Sequence, residues 1–427
     1  MNRLLLLTVC ILLIGCQSKQ NTTDSLLNYL PNNAVVVLKS SSFKSLHDYR
    51  NQHDAATAAA TLLPDFFEEL SQIGPNTAGQ LSFHPEGKDQ LIPLLISLQK
   101  PVYSDSVSVD TLKYNKTQLL KRNANPPTFY ASWDSLHFSS PSKLLLESSI
   151  RLRSTQNSID TELEQLYKNT TEDHTFFVSK DIAPYFNRLF KDMNLIPWVQ
   201  WSKWTAMVPS VNSNGVYLQA YGITDTNGAS RLSFLKNQDT ALQELAAYIP
   251  SNINTVQAFS FDLDTYKKAS LRFEAAHNLP DTLMDSLLID ATQLAQLRLG
   301  NETVVLVKSS MATDDIKQTL AKKSRAQFTT EQQTLYAFSD ENIITDLLPP
   351  MLKQNKFTFA TIVNEHLYLG TSQTVLESVI YALTKDDVLS QNERFQTYFK
   401  TLPSRSSFWG WSAPAYFETQ VKKIAPA

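Results

Sequence analysis

The sequence predicts an α+β fold: two tandem repeated units, each a mainly antiparallel sheet packed against helices. Three observations lead there. A cassette recurs at a spacing of about 230 positions. Its first copy runs Leu136-His137-Phe138, Ser139-Ser140, Leu146-Glu147-Ser148-Ser149-Ile150, Phe176-Phe177-Val178 and Ala183-Pro184-Tyr185-Phe186. The second copy runs Leu367-Tyr368-Leu369, Gly370-Thr371-Ser372, Leu376-Glu377-Ser378-Val379-Ile380, Phe408-Trp409-Gly410-Trp411 and Ala413-Pro414-Ala415-Tyr416-Phe417. The front of each unit repeats too: Tyr29-Leu30-Pro31-Asn32-Asn33 and Tyr248-Ile249-Pro250-Ser251-Asn252 are turn signals feeding apolar runs. Finally, residues 91–98 and 303–308 are continuous apolar runs, the pattern of strands buried on both faces.

The whole chain sets bounds on these units. Its 427 residues suit two cores better than one, and 42% hydrophobic with 19% charged residues is a globular composition. The net charge of −3, with Lys and Arg scattered, leaves no nucleic-acid footprint. Glycine numbers only 10, about a third of its usual share, which disfavours any site built on a Gly-rich loop. Both cysteines, Cys10 and Cys16, precede the folded body, so disulfides, thiol nucleophiles and thiolate metal sites are excluded from it.

In chain order, residues 1–15 read as a signal peptide. Arg3 supplies the charge, and residues 4–14 form an apolar run well short of the ~20 residues that span a bilayer. The run ends in Leu13-Ile14-Gly15-Cys16, which looks like a bacterial lipobox, so Cys16 is the expected lipidation site. Several acyl chains at ~0.8 kcal/mol per buried CH₂ would anchor the protein without a spanning helix. Residues 16–25 form a polar tether, 26–195 the first unit, 196–240 a bridge, and 241–427 the second unit. In the first unit a strand at 34–39 leads to helices at 43–53 and 55–63, then a restart at Pro64. The second unit answers with helices at 265–277 and 281–299. A third strand at 129–133 matches 357–363. In the bridge, Asn214-Gly215 between apolar alternating runs is a hairpin signal.

Helices on one face of the sheet are the simplest layering of these elements. Aligned through the cassette, Gly370 faces Ser139 and His366 faces Ser135. What recurs is apolar or helix-shaping, so function should lie where the copies differ or meet.

The turn–strand–helix order, then Gly370-Thr371-Ser372 with Leu376-Glu377-Ser378-Val379-Ile380, then Phe395-x-x-x-Phe399 and the aromatic strand, resembles a family of Bacteroidetes cell-envelope lipoproteins. In that uncharacterised family a domain of unknown function is duplicated. The bridge, from Trp204-Thr205 to Gly222 and Ser233-Phe234-Leu235, is similar as well. The resemblance covers nearly the whole mature chain, and its motifs are structural. It implies a duplicated α+β fold and an envelope location, and it transfers no catalytic residue. Residues 17–23 lack the acidic tract of many exported lipoproteins of that phylum, which leans toward the outer membrane with the protein facing the periplasm.

Motifs for chemistry are sparse. Gly74 to Gly79 has the outer spacing of a phosphate-binding loop, but Gln80 stands where its lysine belongs, so a turn before a strand at Leu81 is expected. The seven histidines are dispersed and no His-Glu-x-x-His occurs; Glu365-His366 is the nearest thing to a site. Neither a metal nor a cofactor is expected. Among paired carboxylates, Asp314-Asp315 sits at a helix start and Asp264 suits a helix cap before Tyr266. Glu68-Glu69 and Asp386-Asp387 read as solvated. No serine is marked as a nucleophile. Trp198, Trp201 and Trp204 cluster, and Trp409 and Trp411, two apart, share one face of a strand. Core packing is their ordinary use; an apolar or partner-docking patch is the functional alternative. The expectation is a membrane-anchored binding or structural module that holds an envelope protein. A carrier of a lipid or other apolar ligand is the alternative, and an unrecognised hydrolase a third reading.

Overall fold

The computed structural model describes residues 23–42, 78–87, 90–98, 108–123, 127–133, 135–152, 159–172, 174–185, 200–212, 215–225, 228, 230–238, 244–260, 262–278, 291–339, 356–402, 405–416 and 419. The leader with Cys16, Trp198, Glu68-Glu69 and the helices expected at 43–63 lie outside them. The chain divides into two compact units, Met1–Val178 with Ala206–Val208 and Ser179–Thr205 with Pro209–Ala427.

The first sheet has ten strands: β1 (Val36–Ser40), β2 (Gly79–Glu86), β3 (Gln90–Ser97), β4 (Val109–Tyr114), β5 (Thr117–Arg122), β6 (Thr128–Trp133), β7 (Leu136–Ser140), β8 (Thr175–Ser179), β9 (Trp204–Asn212) and β10 (Gly215–Gly222). Their order is β10-β9-β8-β1-β2-β3-β7-β6-β5-β4. The second sheet has β11 (Thr255–Ser260), β12 (Ala291–Leu299), β13 (Glu302–Ser309), β14 (Ala326–Thr330), β15 (Gln333–Ala337), β16 (Phe359–Val363), β17 (His366–Gly370) and β18 (Phe408–Ser412). Its order is β14-β15-β16-β17-β13-β12-β11-β18. Strand for strand, β11 to β18 repeat β1 to β8 in the same spatial order. The duplication is a duplication of topology. The hairpin β9–β10, from the expected bridge, extends the first sheet beyond β8.

The turns repeat as well. Asn115-Lys116 joins β4 to β5 and Glu331-Gln332 joins β14 to β15, all four residues at positive φ between +43° and +67°. That is the twist-matching geometry of two-residue hairpins, here without glycine. Asn364 and Glu365, at φ 49° and 65°, turn β16 into β17 in the same way. This hairpin corrects the cassette alignment by one residue. Trp133 pairs with Leu136, and Val363 with His366. His366 therefore matches Leu136, Tyr368 matches Phe138, and Gly370 matches Ser140. A one-residue slip would send every side chain to the wrong face.

The helices are α1 (Lys143–Arg151), α2 (Thr161–Asn169), α3 (Leu263–His277), α4 (Thr313–Lys323), α5 (Gln373–Thr384) and α6 (Glu393–Phe399). Their caps repeat with the cassette. Ser142 and Ser372 accept from the backbone N–H three residues on, capping α1 and α5; Asp160 and Asn392 cap α2 and α6. On α3 the cap is Asp262, which accepts from the Thr265 N–H, so Asp264 is a first-turn residue instead. Close packing explains the glycine at 370: a Cβ there would fall 2.6 Å from Leu376 Cγ of α5.

Two expectations are corrected. Helices do not keep to one face of the second sheet. Tyr266 and Phe273 of α3 and Ile316 and Leu320 of α4 pack with Leu294, Val305 and Val307. Leu376, Val379 and Ile380 of α5 and Phe395 of α6 pack with Leu297, Val304 and Leu306, the neighbouring alternate positions. Successive residues of β13 thus face opposite cores, which is why that run is apolar throughout. Secondly, the helix expected at 281–299 fails: residues 291–299 are β12. Ala, Gln and Leu favour helix intrinsically, but β12 is a central strand paired with both β11 and β13. Tertiary pairing overrides a propensity of a few tenths of a kcal/mol per residue.

Candidate functional site

The second unit carries an open groove of about 530 Å³, lined by Glu244, Ala246, Ala247, Tyr248, Ser390, Phe395, Gln396 and Phe399. One wall is the 3-10 turn Leu245–Tyr248, whose Leu245 and Ala246 are buried. The other is α6, whose Phe395 and Phe399 stack with centroids 5.1 Å apart. Gln396 stands on the rim, its amide donating to the Ser390 carbonyl at 3.0 Å. The floor is aromatic and the rim polar, the division expected of a binding cleft.

Titratable groups gather at the Glu244 end. Lys308 Nζ lies 2.6 Å from Glu244 Oε2, and this bond holds the carboxylate below its ordinary pKa. The Tyr248 ring stacks on His366 with centroids 3.8 Å apart. His366 is buried; its Nδ1 lies 2.6 Å from the Asn364 carbonyl and donates to it, leaving Nε2 the bare acceptor. Burial is the largest influence on this ring and lowers its pKa, favouring the neutral form.

The first unit differs from the second at the layer between sheet and helices. With the Tyr-x-Pro turns matched, Lys39 of β1 corresponds to Ala258 of β11. Register carries the match sideways: Lys39 pairs with Gln80 and Val37 with Ser82, whereas Ala258 pairs with Ala295 and Val256 with Leu297. Gln80, Ser82 and His84 of β2 therefore stand where β12 places Ala295, Leu297 and Leu299, all three in the apolar core under α5 and α6. The first unit has a polar seam where its duplicate has a hydrophobic one.

Gln80, Ser82 and His84 are buried and Lys39 is half-buried, and most of them find partners. Lys39 Nζ donates to the Tyr167 carbonyl at 3.1 Å and the Thr170 carbonyl at 3.5 Å, at the C-terminal end of α2, and sits 4.5 Å over the Tyr167 ring. A cation there meets both the helix dipole and a π face. Ser82 Oγ lies 2.9 Å from His84 Nε2, and His84 Nδ1 lies 2.8 Å from Asn33 Oδ1. Since the amide oxygen accepts, Nδ1 carries the proton, and the Ser82 hydroxyl is shared between Nε2 and the Leu94 carbonyl at 3.2 Å. Burial pushes His84 down to about 3. Gln80 is the exception: fully buried, neither amide atom has a hydrogen-bond partner.

Ser82, His84 and Asn33 have the connectivity of a serine–histidine–amide triad. Ser82 is 0% exposed, however, so no substrate carbonyl reaches it in this conformation. With its pKa near 3, His84 is also a poor base at neutral pH. The array is a buried polar strut linking β2 to the Asn33 turn. Ser82 and His84 are two apart on β2, and only the fold brings Asn33 to them.

The sequence candidates fall elsewhere. Trp201, Trp204 and Trp409 are buried to within 5% exposure, which removes them from any docking patch. Trp201 packs against Phe259 and Phe408, and Trp409 packs in the opposite core against Phe395 and Phe399. Trp411 is half-buried on the same face as Trp409, edge-on to Phe395. Among the described residues no cluster of three or more His, Cys, Asp or Glu could hold a metal ion. Asp314 and Asp315 lie in the first turn of α4, and Asp387 accepts from the Ser251 hydroxyl. Neither a family model, nor a curated protein, nor a solved structure matches this chain.

Proposed function

We propose that this protein is a lipid-anchored binding module of the cell envelope. It is acylated at Cys16, faces the periplasm from the outer membrane, and holds an envelope protein partner. The groove between the Leu245–Tyr248 turn and α6 is the observation that carries the binding role: an aromatic floor, a polar rim and a volume of about 530 Å³. The lipobox-like Leu13-Ile14-Gly15-Cys16 and the resemblance to envelope lipoproteins support the anchor. No described helix is long and apolar enough to cross a membrane.

Cys16→Ala is expected to release the protein from membranes into the soluble envelope fraction; retention in the membrane pellet would refute the anchor. Binding is tested separately. Gln396 is exposed, so Gln396→Trp fills the groove without disturbing the core. Crosslinked envelopes should yield one recurring partner with the wild type and lose it with this variant. Equal recovery from both would remove the groove from the interaction. The aromatic floor also favours a second reading, a carrier of a lipid or other apolar ligand. Native mass spectrometry of the purified protein would then show a bound small molecule that Gln396→Trp lacks.

A further inference from the structure

We propose that the helix layer of the first unit is an acid-sensitive latch, in which α1 and α2 lift from the sheet more readily than α5 and α6, and protonation of His84 promotes the lifting. Apolar contact binds α5 and α6 to Ala258, Ala295, Leu297 and Leu299. In the first unit Leu145, Leu146 and Ile150 of α1 also make apolar contacts, with Leu94, Ile96 and Phe138, but the β1–β2 part of the layer holds Lys39, Gln80, Ser82 and His84. Opening costs both units hydrophobic burial, but in the first unit recovered hydration of these polar groups offsets part of that cost. Gln80 gains most, since its buried amide has no partner to lose.

A cleft of about 170 Å³ already separates α1 from the end of β2. Asn33, His84, Glu86, Ser142, Leu145 and Ser148 are among the residues that line it. Water would enter there first, and His84 is the titratable group beside it. Charged groups on the elements around His84 are Lys39 on β1, Glu86 on β2, and Lys143, Glu147 and Arg151 on α1. Glu86 accepts from Ser142, and Glu147 pairs with Lys143 at 3.3 Å. Burial is what lowers the pKa of His84.

The sign follows from linkage. In the closed layer His84 titrates at about 3, and in the open layer near its ordinary 6.5. The open state binds the extra proton, so closure is fully favoured above pH 6.5 and is weakened progressively as pH falls from there toward 3. Between pH 7.5 and pH 5 the open population rises about 30-fold.

Hydrogen exchange of the full-length protein, corrected for intrinsic rates, tests this. At pH 7.5 the amides of α1 and α2 should exchange faster than those of α5 and α6. At pH 5 they should gain the further 30-fold, and His84→Gln, which keeps a polar partner for Asn33, should abolish that gain. His366 also titrates low in the second unit, so the variant decides the assignment rather than the wild-type pH profile alone. Gln80→Met should slow exchange in α1 and α2 at both pH values. Equal protection of the two helix pairs, or an undiminished acid response in His84→Gln, would overturn the latch.

Discussion

Replacing Trp409 with alanine is expected to destabilise the second unit by about 3–5 kcal/mol, the range for deleting a buried aromatic side chain. Trp409 is 5% exposed on β18, with ring centroids 5.6 Å from Phe395 and 6.0 Å from Phe399. Together with Trp411 it packs the sheet against α6, so its loss opens a cavity beneath the helix that walls the groove. Urea unfolding followed by tryptophan fluorescence and far-UV circular dichroism would show the midpoint of one transition falling sharply while the other holds. A docking tryptophan would behave differently, with partner binding lost and both midpoints unchanged. Trp411→Ala, at a half-buried position on the same face, is expected to have the smaller effect.

Much of the architecture was readable because the sequence repeats it. Two copies of strand, turn and helix constrain each other, and the turn signals and apolar runs supply the rest. Failures have specific causes. β4, β5, β14 and β15 escaped because their turns, Asn115-Lys116 and Glu331-Gln332, adopt positive φ without glycine. The residues of β12 favour helix, and only its neighbours β11 and β13 make it a strand. Helices on both faces of the second sheet were implicit in the apolar run of β13.

Of the sites, the tryptophans drew attention by rarity, and rarity did not separate core from surface. The polar seam was invisible until register placed Gln80, Ser82 and His84 opposite Ala295, Leu297 and Leu299. Its signal in the sequence is a period-2 row of polar residues in a strand whose duplicate is apolar. That signal can be read only after the two copies are aligned, which needs the strand register.

The same alignment exposes a compensated pair. In the first unit the carbonyl of Tyr29 accepts from the Ser149 hydroxyl of α1 at 2.7 Å. In the second, the carbonyl of Tyr248 accepts from the Tyr368 hydroxyl of β17 at 2.8 Å. Ser149 corresponds to Val379 and Tyr368 to Phe138, so each copy satisfies the same turn carbonyl from a different element. All four positions are buried. Tyr368→Phe is therefore expected to cost about 1–3 kcal/mol, the penalty for stranding a buried acceptor. Val379→Ser alone should also destabilise, since it buries a hydroxyl and loses methyl contacts. Together the two changes copy the first unit's arrangement. The double variant should then be more stable than the sum of the single effects by roughly 1 kcal/mol in a double-mutant cycle of denaturant midpoints. Simple additivity would mean that a hydroxyl on α5 does not reach the Tyr248 carbonyl, and that the two units hold their turns by different geometry despite their shared topology.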